Sequence, residues 1–226
     1  MRRALEGRSR YGSRARERVD LAAMRVWRLG ATWEDEERLA GAWRRAAPFP
    51  HLVFDDFVPE DALPELVAVV DEEQIERYEA DIYAFEATAP EPKTEGFRVL
   101  REAFAQALAA PLSRITAKSV RRADMRAYAY RAGHYLLPHT DHQQGVGRAL
   151  AYAYYFPSPE PPEGGELELF RCTVDEDGEI VTTESACLVE PRSNRLVVFD
   201  VSDVSLHQVR EVLAGLRPSL SGWFYP

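Results

Sequence analysis

RALAYAYYF, residues 148–156, alternates without a break. Leu150, Tyr152, Tyr154 and Phe156 fall on one face of an extended chain; Ala149, Ala151, Ala153 and Tyr155 fall on the other. The same rhythm recurs on both sides of this stretch. Upstream, 125–130 alternates with Arg126, Tyr128 and Tyr130 on one face. Downstream, 166–170, 195–200, 206–212 and 216–225 read as further strands, with 175–178 and 214–215 as turn signals. About eight short strands in succession predict a mainly β fold with α: a double-stranded β-helix, or jelly roll, of cupin-like shape. The helices of the N-terminal half are expected to pack on one of its sheets.

That half has a different pattern. A helix is expected from Thr32, with Thr32 as its cap, acidic residues 34–37 in its first turn, and Leu39 and Trp43 on one face. Pro48 and Pro50 stop it. Residues 51–57 read as a strand, 59–70 as a helix opened by proline, and 86–95 as a proline-rich loop. Phe97, Leu100, Phe104 and Leu108 repeat at helical spacing, which predicts an amphipathic helix over 95–109.

Net charge is −9 over 226 residues, unevenly spread. Residues 1–45 hold 12 Arg and 7 Asp or Glu, and the rest of the chain is acidic. Two parts are expected: a basic, partly disordered extension with a helix over 1–47, and a catalytic domain over 48–226. An acidic body argues against nucleic acid as the main ligand. The basic start (Arg2, Arg3, Arg8, Arg10, Arg14, Arg16, Arg18) can be a nucleic-acid arm, a disordered tail, or an extension upstream of initiation at Met24. No apolar run has the length of a membrane span, and no secretory signal is visible. Cys172 and Cys187 are expected to be free thiols, and a cytoplasmic location follows. The oligomeric state is left open, a homodimer included.

Chemistry concentrates in three places. His139-Thr140-Asp141 puts an imidazole and a carboxylate on one side of an extended segment, and His207 lies in a later strand that can fold back to join them. Two neutral imidazoles and one carboxylate suit Fe(II) and leave coordination positions open for oxygen chemistry. His-x-Asp alone is common by chance; the histidine and arginine downstream give it weight. Of the other histidines, His134 and His142 are expected beside the site or at the surface, and His51 in a structural place. Arg217 follows His207 across the Ala214-Gly215 turn, so two antiparallel strands can bring both into one cavity. Its planar fork suits a carboxylate, and Ser219 shares its face. A buried arginine can instead pair with an internal Asp or Glu. Tyr155, among alanines, and Tyr130, just before the metal loop, can donate to a small ligand or simply fill the core.

At these residues the sequence resembles the 2-oxoglutarate- and Fe(II)-dependent dioxygenases, and among them the prolyl-hydroxylase-like branch that holds the ribosomal and hypoxia-factor prolyl hydroxylases. The resemblance rests on PFPHLVFDDF (48–57), AYRAGHYLLPHTDH (129–142), RALAYAYYFP (148–157), GGELELF (164–170), NRLVVFDVSDVSLHQV (194–209) and LRPSLSGWFYP (216–226). It implies His139, Asp141 and His207 as iron ligands. It implies Arg217 as anchor of the distal carboxylate of 2-oxoglutarate, with Ser219, Tyr130 and Tyr155 beside it. It implies O₂ as the oxidant, ascorbate as an auxiliary reductant, and hydroxylation of an unactivated C–H with release of succinate and CO₂. Asp141, where a glycine would open a site for halide, favours hydroxylation over halogenation. Pro218 departs from the usual pattern, since proline in a strand belongs at an edge or bulge.

A prolyl residue of a protein is the leading substrate by this resemblance. A free amino acid or a natural product is the alternative, and a cupin-like metal protein without oxygenase activity is the reading from another class. Residues 76–96, with Tyr83 and Phe85, are expected over the mouth of the site.

Overall fold

A computed structural model describes residues 26–226. The basic arm, from Arg2 to Arg18, and Met24 lie outside the described residues. The helix expected from Thr32 starts later. Residues 31–33 form a 3₁₀ turn, and α1 spans Glu36–Arg45. Its cap is Asp35, not Thr32: the Asp35 carboxylate accepts from the Arg38 N–H at 3.0 Å, which neutralises a free amide at the positive end of the helix. Leu39 and Trp43 are buried on one face, as their spacing predicts. After β1 (His51–Phe54), a turn over 60–62 leads into α2 (Leu63–Asp71).

Residues 75–88, read in part as loop, form a hairpin of β2 (Ile75–Ala80) and β3 (Tyr83–Thr88). Next comes α3 (Glu95–Thr116), which runs well past 109. Pro111 sits inside it and removes one ladder N–H. Leu108, Leu112 and Ile115 continue the buried stripe across that proline, and their burial outweighs the lost bond.

The remaining elements are strands: β4 (Arg122–Ala123), β5 (Arg126–Arg131), β6 (Tyr135–His139), β7 (Leu150–Tyr155), β8 (Glu163–Gly164), β9 (Leu167–Val174), β10 (Ile180–Val189), β11 (Arg195–Asp200), β12 (His207–Val209), β13 (Val212–Ala214) and β14 (Leu216–Tyr225). The segment expected as one strand over 206–212 is thus divided between β12 and β13. The long β10 is not predicted by the sequence pattern, because most of its side chains are exposed, polar Thr182, Thr183, Glu184 and Ser185 among them.

The main sheet runs β1-β11-β7-β14-β5-β3-β6-β12-β9-β10 and is antiparallel throughout. It curls into a jelly roll, with β3 hydrogen-bonded to β5 at one end and β6 at the other. The helices pack on the outer face of β11, β7 and β14. There Trp27, Trp43, Phe104, Tyr152, Tyr154, Val198 and Phe224 form one apolar cluster. The inner face of the same strands carries Ala151, Ala153, Tyr155, Val197 and Phe199. The two faces of β7 are divided as its alternation predicts.

Pro218 is neither on an edge strand nor at a bulge. In β14 it stands opposite Ala129 of β5, and its carbonyl accepts from Phe156 N–H at 3.1 Å. N and C=O of one residue point the same way in an antiparallel strand. The missing N–H therefore faces Phe156, just past the last residue of β7, where the ladder has already ended.

Candidate active site

His139, Asp141 and His207 come together. His139 ends β6, His207 opens β12, and the two are direct partners across that antiparallel ladder. Asp141 lies two residues beyond β6, in the loop. Its carboxylate oxygens are 3.7 Å from His139 Nε2 and 3.4 Å from His207 Nε2. One donor atom from each of the three lies within 4.8 Å of the others.

Each ring is set by its own backbone. His139 Nδ1 is 2.9 Å from the Leu137 carbonyl, and His207 Nδ1 is 2.9 Å from the Ser205 carbonyl. A carbonyl only accepts, so each Nδ1 carries the proton and each Nε2 keeps its lone pair for a metal. Burial pushes His207 down to about 4, against the pull of Asp141. It is a neutral imidazole at neutral pH, the form a ligand needs. The donor set fits a divalent ion with oxygen and nitrogen preference.

Arg217 and Tyr130 line the same cavity, which has a volume of about 490 Å³, and Tyr155 and Ser219 are buried against the arginine. Arg217 is only 2% exposed. Its Nη2 donates to Tyr155 Oη at 3.3 Å and its Nη1 to Ser219 Oγ at 3.5 Å; its Nε has no partner. The guanidinium lies 4.9 Å from the Tyr130 ring centre and 4.8 Å from that of Tyr155. Among the described residues no carboxylate pairs with it. A cation in this position is costly unless an anion completes it. Burial raises the pKa of both Tyr130 and Tyr155, and Arg217 lowers it only in part. Both phenols therefore stay protonated and can donate. Tyr155 and Ser219 accept from Arg217, which leaves their own O–H protons free for an anion.

Their arrangement differs from the hairpin that the Ala214-Gly215 turn suggested. His207 and Arg217 are not on paired strands: β12 pairs with β6 and β9, β14 with β5 and β7. They reach one cavity from separate parts of the curled sheet. Gly165 makes that possible, with φ +72 and its Cα so near Arg217 that a Cβ would come within 2.9 Å of Arg217 Cδ.

The other histidines stay apart. His134 is buried in the turn before β6, His142 lies 3.4 Å from Asp203 at the surface, and His51 Nδ1 bonds the Phe49 carbonyl. Trp223 and Arg148 are among the cavity residues that the sequence does not assign to the site. Trp223 shares a face with Arg217 by alternation along β14, a usable signal. Arg148 lies just before β7, so the alternation of that strand does not place it. Its guanidinium sits 3.6 Å from the Trp223 ring centre and donates to the Asp141 carbonyl at 3.2 Å. Tyr83 and Phe85 do line the cavity, joined by Tyr78 from the other strand of the hairpin.

The model of the 2OG-Fe(II) oxygenase superfamily matches residues 125–225. Prolyl 3-hydroxylase OGFOD1 of Xenopus laevis is 32% identical over 187 residues, covering 80% of this chain and 35% of that protein. The chain spans about a third of the length of the curated relatives it matches. A Pseudomonas putida prolyl-4-hydroxylase has the same fold, at TM-score 0.62 and 23% identity over 83% of this chain and 98% of that one. So has a Trichoplax adhaerens prolyl hydroxylase solved with a hypoxia inducible factor peptide, at TM-score 0.61 and 16% identity over 86% and 92%. The superfamily uses Fe(II), 2-oxoglutarate and O₂, and the two histidines and the carboxylate are a donor set of the kind that holds such an ion. Residues 125–225 belong to the 2OG-Fe(II) oxygenase superfamily, and the chain is similar to prolyl-hydroxylase members of it.

Proposed function

We propose that this chain is a 2-oxoglutarate-dependent hydroxylase acting on a prolyl residue of a protein. The observation that carries the reading is Arg217: a buried guanidinium without a carboxylate partner, in the cavity that also holds His139, Asp141 and His207. A cupin-like metal protein without oxygenase activity has no use for that cation.

In this reading His139, Asp141 and His207 hold Fe(II). Arg217 grips the distal carboxylate of 2-oxoglutarate. Tyr155 and Ser219 brace the guanidinium and turn their hydroxyl protons to the same anion, and Tyr130 adds a phenol from β5. Iron, 2-oxoglutarate and O₂ together supply the oxidising power, and succinate and CO₂ leave. The residues of the chain fix tautomers, neutralise the cosubstrate and leave room: Ala151 and Ala153 face the cavity where larger side chains would fill it. Arg148 and Trp223, beside Asp141, form the wall a substrate meets. Tyr78, Tyr83 and Phe85 cover the mouth and take part in substrate choice.

A protein substrate is supported by the relatives. OGFOD1 is named a prolyl 3-hydroxylase, and the Trichoplax enzyme holds a peptide. No described helix is long and apolar enough to cross a membrane. The free thiols of Cys172 and Cys187 support a reducing, cytoplasmic setting. Of the described residues before 48, Trp27, Trp33, Leu39 and Trp43 pack in the same core as Tyr154 of β7 and Phe224 of β14.

The test is succinate formation by the purified chain with Fe(II), ascorbate and 2-oxoglutarate, with and without proline-containing peptides. We expect peptide-driven succinate and a mass gain of one oxygen atom on proline. No turnover with any candidate, together with unchanged metal content in Asp141→Ala, overturns the reading.

A further inference from the structure

The cavity is cationic in a protein whose net charge is −9. Three guanidiniums, Arg126, Arg148 and Arg217, line it against the single carboxylate of Asp141. A divalent ion adds two positive charges and a doubly charged cosubstrate cancels them. Arg217 and Asp141 then balance each other, and two cations are left facing the substrate space. Arg148 lies over Trp223 and donates to the Asp141 carbonyl. Arg126 has a different setting.

Arg126 opens β5 and shares a face with Tyr128 and Tyr130. It stands opposite Ser221 in β14, while Tyr130 stands opposite Arg217. At roughly 3.3 Å per residue, the two ends of this wall are about 13 Å apart. Arg217 thus marks one end of the cavity and Arg126 the other. The Arg126 guanidinium lies 4.8 Å from the Tyr78 ring centre and 5.4 Å from that of Tyr128. Its Nε and Nη2 donate to one acceptor, the Thr88 carbonyl, at 2.8 and 2.5 Å. The same guanidinium is within hydrogen-bonding reach of the Tyr128 phenol, and among the described residues no carboxylate pairs with this arginine. The side chain is tied to the Thr88 carbonyl and its guanidinium lines the cavity without an anion to neutralise it. Two aromatic rings reduce its contact with water, which strengthens its pull on an anion.

We infer that Arg126, framed by Tyr78 and Tyr128, is a carboxylate-recognition site that selects acidic substrates for the reaction at the metal. Building on the proposed prolyl hydroxylase reading, the ligand is an acidic side chain close in sequence to the target proline. The same chemistry is offered by the free α-carboxylate of a small substrate. A purely structural role, clamping the β2–β3 hairpin to β5, predicts lost stability on substitution but no dependence on substrate charge.

The experiment uses the full chain, loaded with Fe(II) and 2-oxoglutarate without oxygen so that nothing turns over. Fluorescently labelled peptides with one central proline carry Asp, Ala or Lys at the flanking positions. Their affinities for wild type, R126Q and R126E are read by anisotropy, and thermal melts of each variant report the fold. We expect Asp peptides to bind wild type about tenfold or more tighter than Lys peptides. R126Q is expected to level them, and R126E to reverse the order. A second arm compares N-acetyl-L-proline with its amide by calorimetry. If no peptide binds at any charge, the protein-substrate reading fails. In that case an Arg126-dependent preference for the free acid still supports the recognition site. No charge preference in either arm, or the same preference in R126E as in wild type, overturns it.

Discussion

His139 and His207 are direct partners across the β6–β12 ladder, their ring centres 4.4 Å apart. The two imidazoles therefore reach the ion from adjacent strands in register, and only Asp141 depends on a loop. Register on a sheet is all or none, since a slip of one residue turns a side chain to the other face. We expect His139→Ala and His207→Ala each to lower Fe(II) affinity by at least about 100-fold, more than loss of an outer-sphere partner. Metal content after dialysis checks this. Tight metal retention in His207→Ala places the ion elsewhere.

Arg217 is under opposite demands from stability and function. With no anion bound, a buried guanidinium with a free Nε destabilises the fold. Arg217→Met keeps the length of the stem and removes the charge. We expect it to raise the stability of the protein without cosubstrate by about 1–4 kcal/mol. The same change is expected to abolish measurable 2-oxoglutarate binding. Denaturant unfolding and calorimetry test the two halves. A variant less stable than wild type and still able to bind 2-oxoglutarate contradicts the assignment.

How much of this was legible in the sequence varies by element, and for physical reasons. The strand 150–155 could be read because its two faces meet different environments, helices outside and the cavity inside. β10 could not, since exposed residues of a ribbon carry no burial pattern. The 75–88 hairpin was hidden by Glu76, Arg77, Glu79 and Asp81, whose charge reads as loop, although Tyr78, Tyr83 and Phe85 form its cavity side. Helix α3 outran its reading at Pro111, where burial decides what local propensity cannot. The site residues themselves were legible, because the chemistry limits the residue types. Their mutual geometry was not: Arg217 was expected across a hairpin from His207, and it stands on a strand that pairs with neither β6 nor β12.

The metal-free protein has a pH dependence of known sign. Burial holds His207 at about 4, below its ordinary 6.5. Above about pH 6.5 the imidazole is neutral in both folded and unfolded chains and contributes no slope. Between about 6.5 and 4 the unfolded chain takes up a proton that the folded one refuses, so stability falls as pH falls, by at most about 1.4 kcal/mol per pH unit. Urea midpoints of metal-free protein across that range measure the slope. His207→Gln, which does not titrate, is expected to make it shallower. An unchanged slope in that variant assigns the pH dependence to other groups.

Gly165 gives the sharpest separation of cosubstrate binding from metal binding. Its φ of +72 already disfavours a side chain, and a Cβ there would meet Val212 Cγ2 at 2.8 Å and Arg217 Cδ at 2.9 Å. The residue sits before β9, remote in sequence from Arg217, yet its missing side chain is the space the arginine stem occupies. Gly165→Ala forces that stem to move, and a guanidinium fixed only by two long bonds to Tyr155 and Ser219 yields easily. Misplacing a bidentate fork weakens its grip on a carboxylate without touching His139, Asp141 or His207. We expect the KM for 2-oxoglutarate to rise about tenfold or more while iron content stays at the wild-type level. Parallel loss of iron and cosubstrate binding points instead to collapse of the β9 entry, and an unaltered KM shows that the cavity absorbs the extra methyl group.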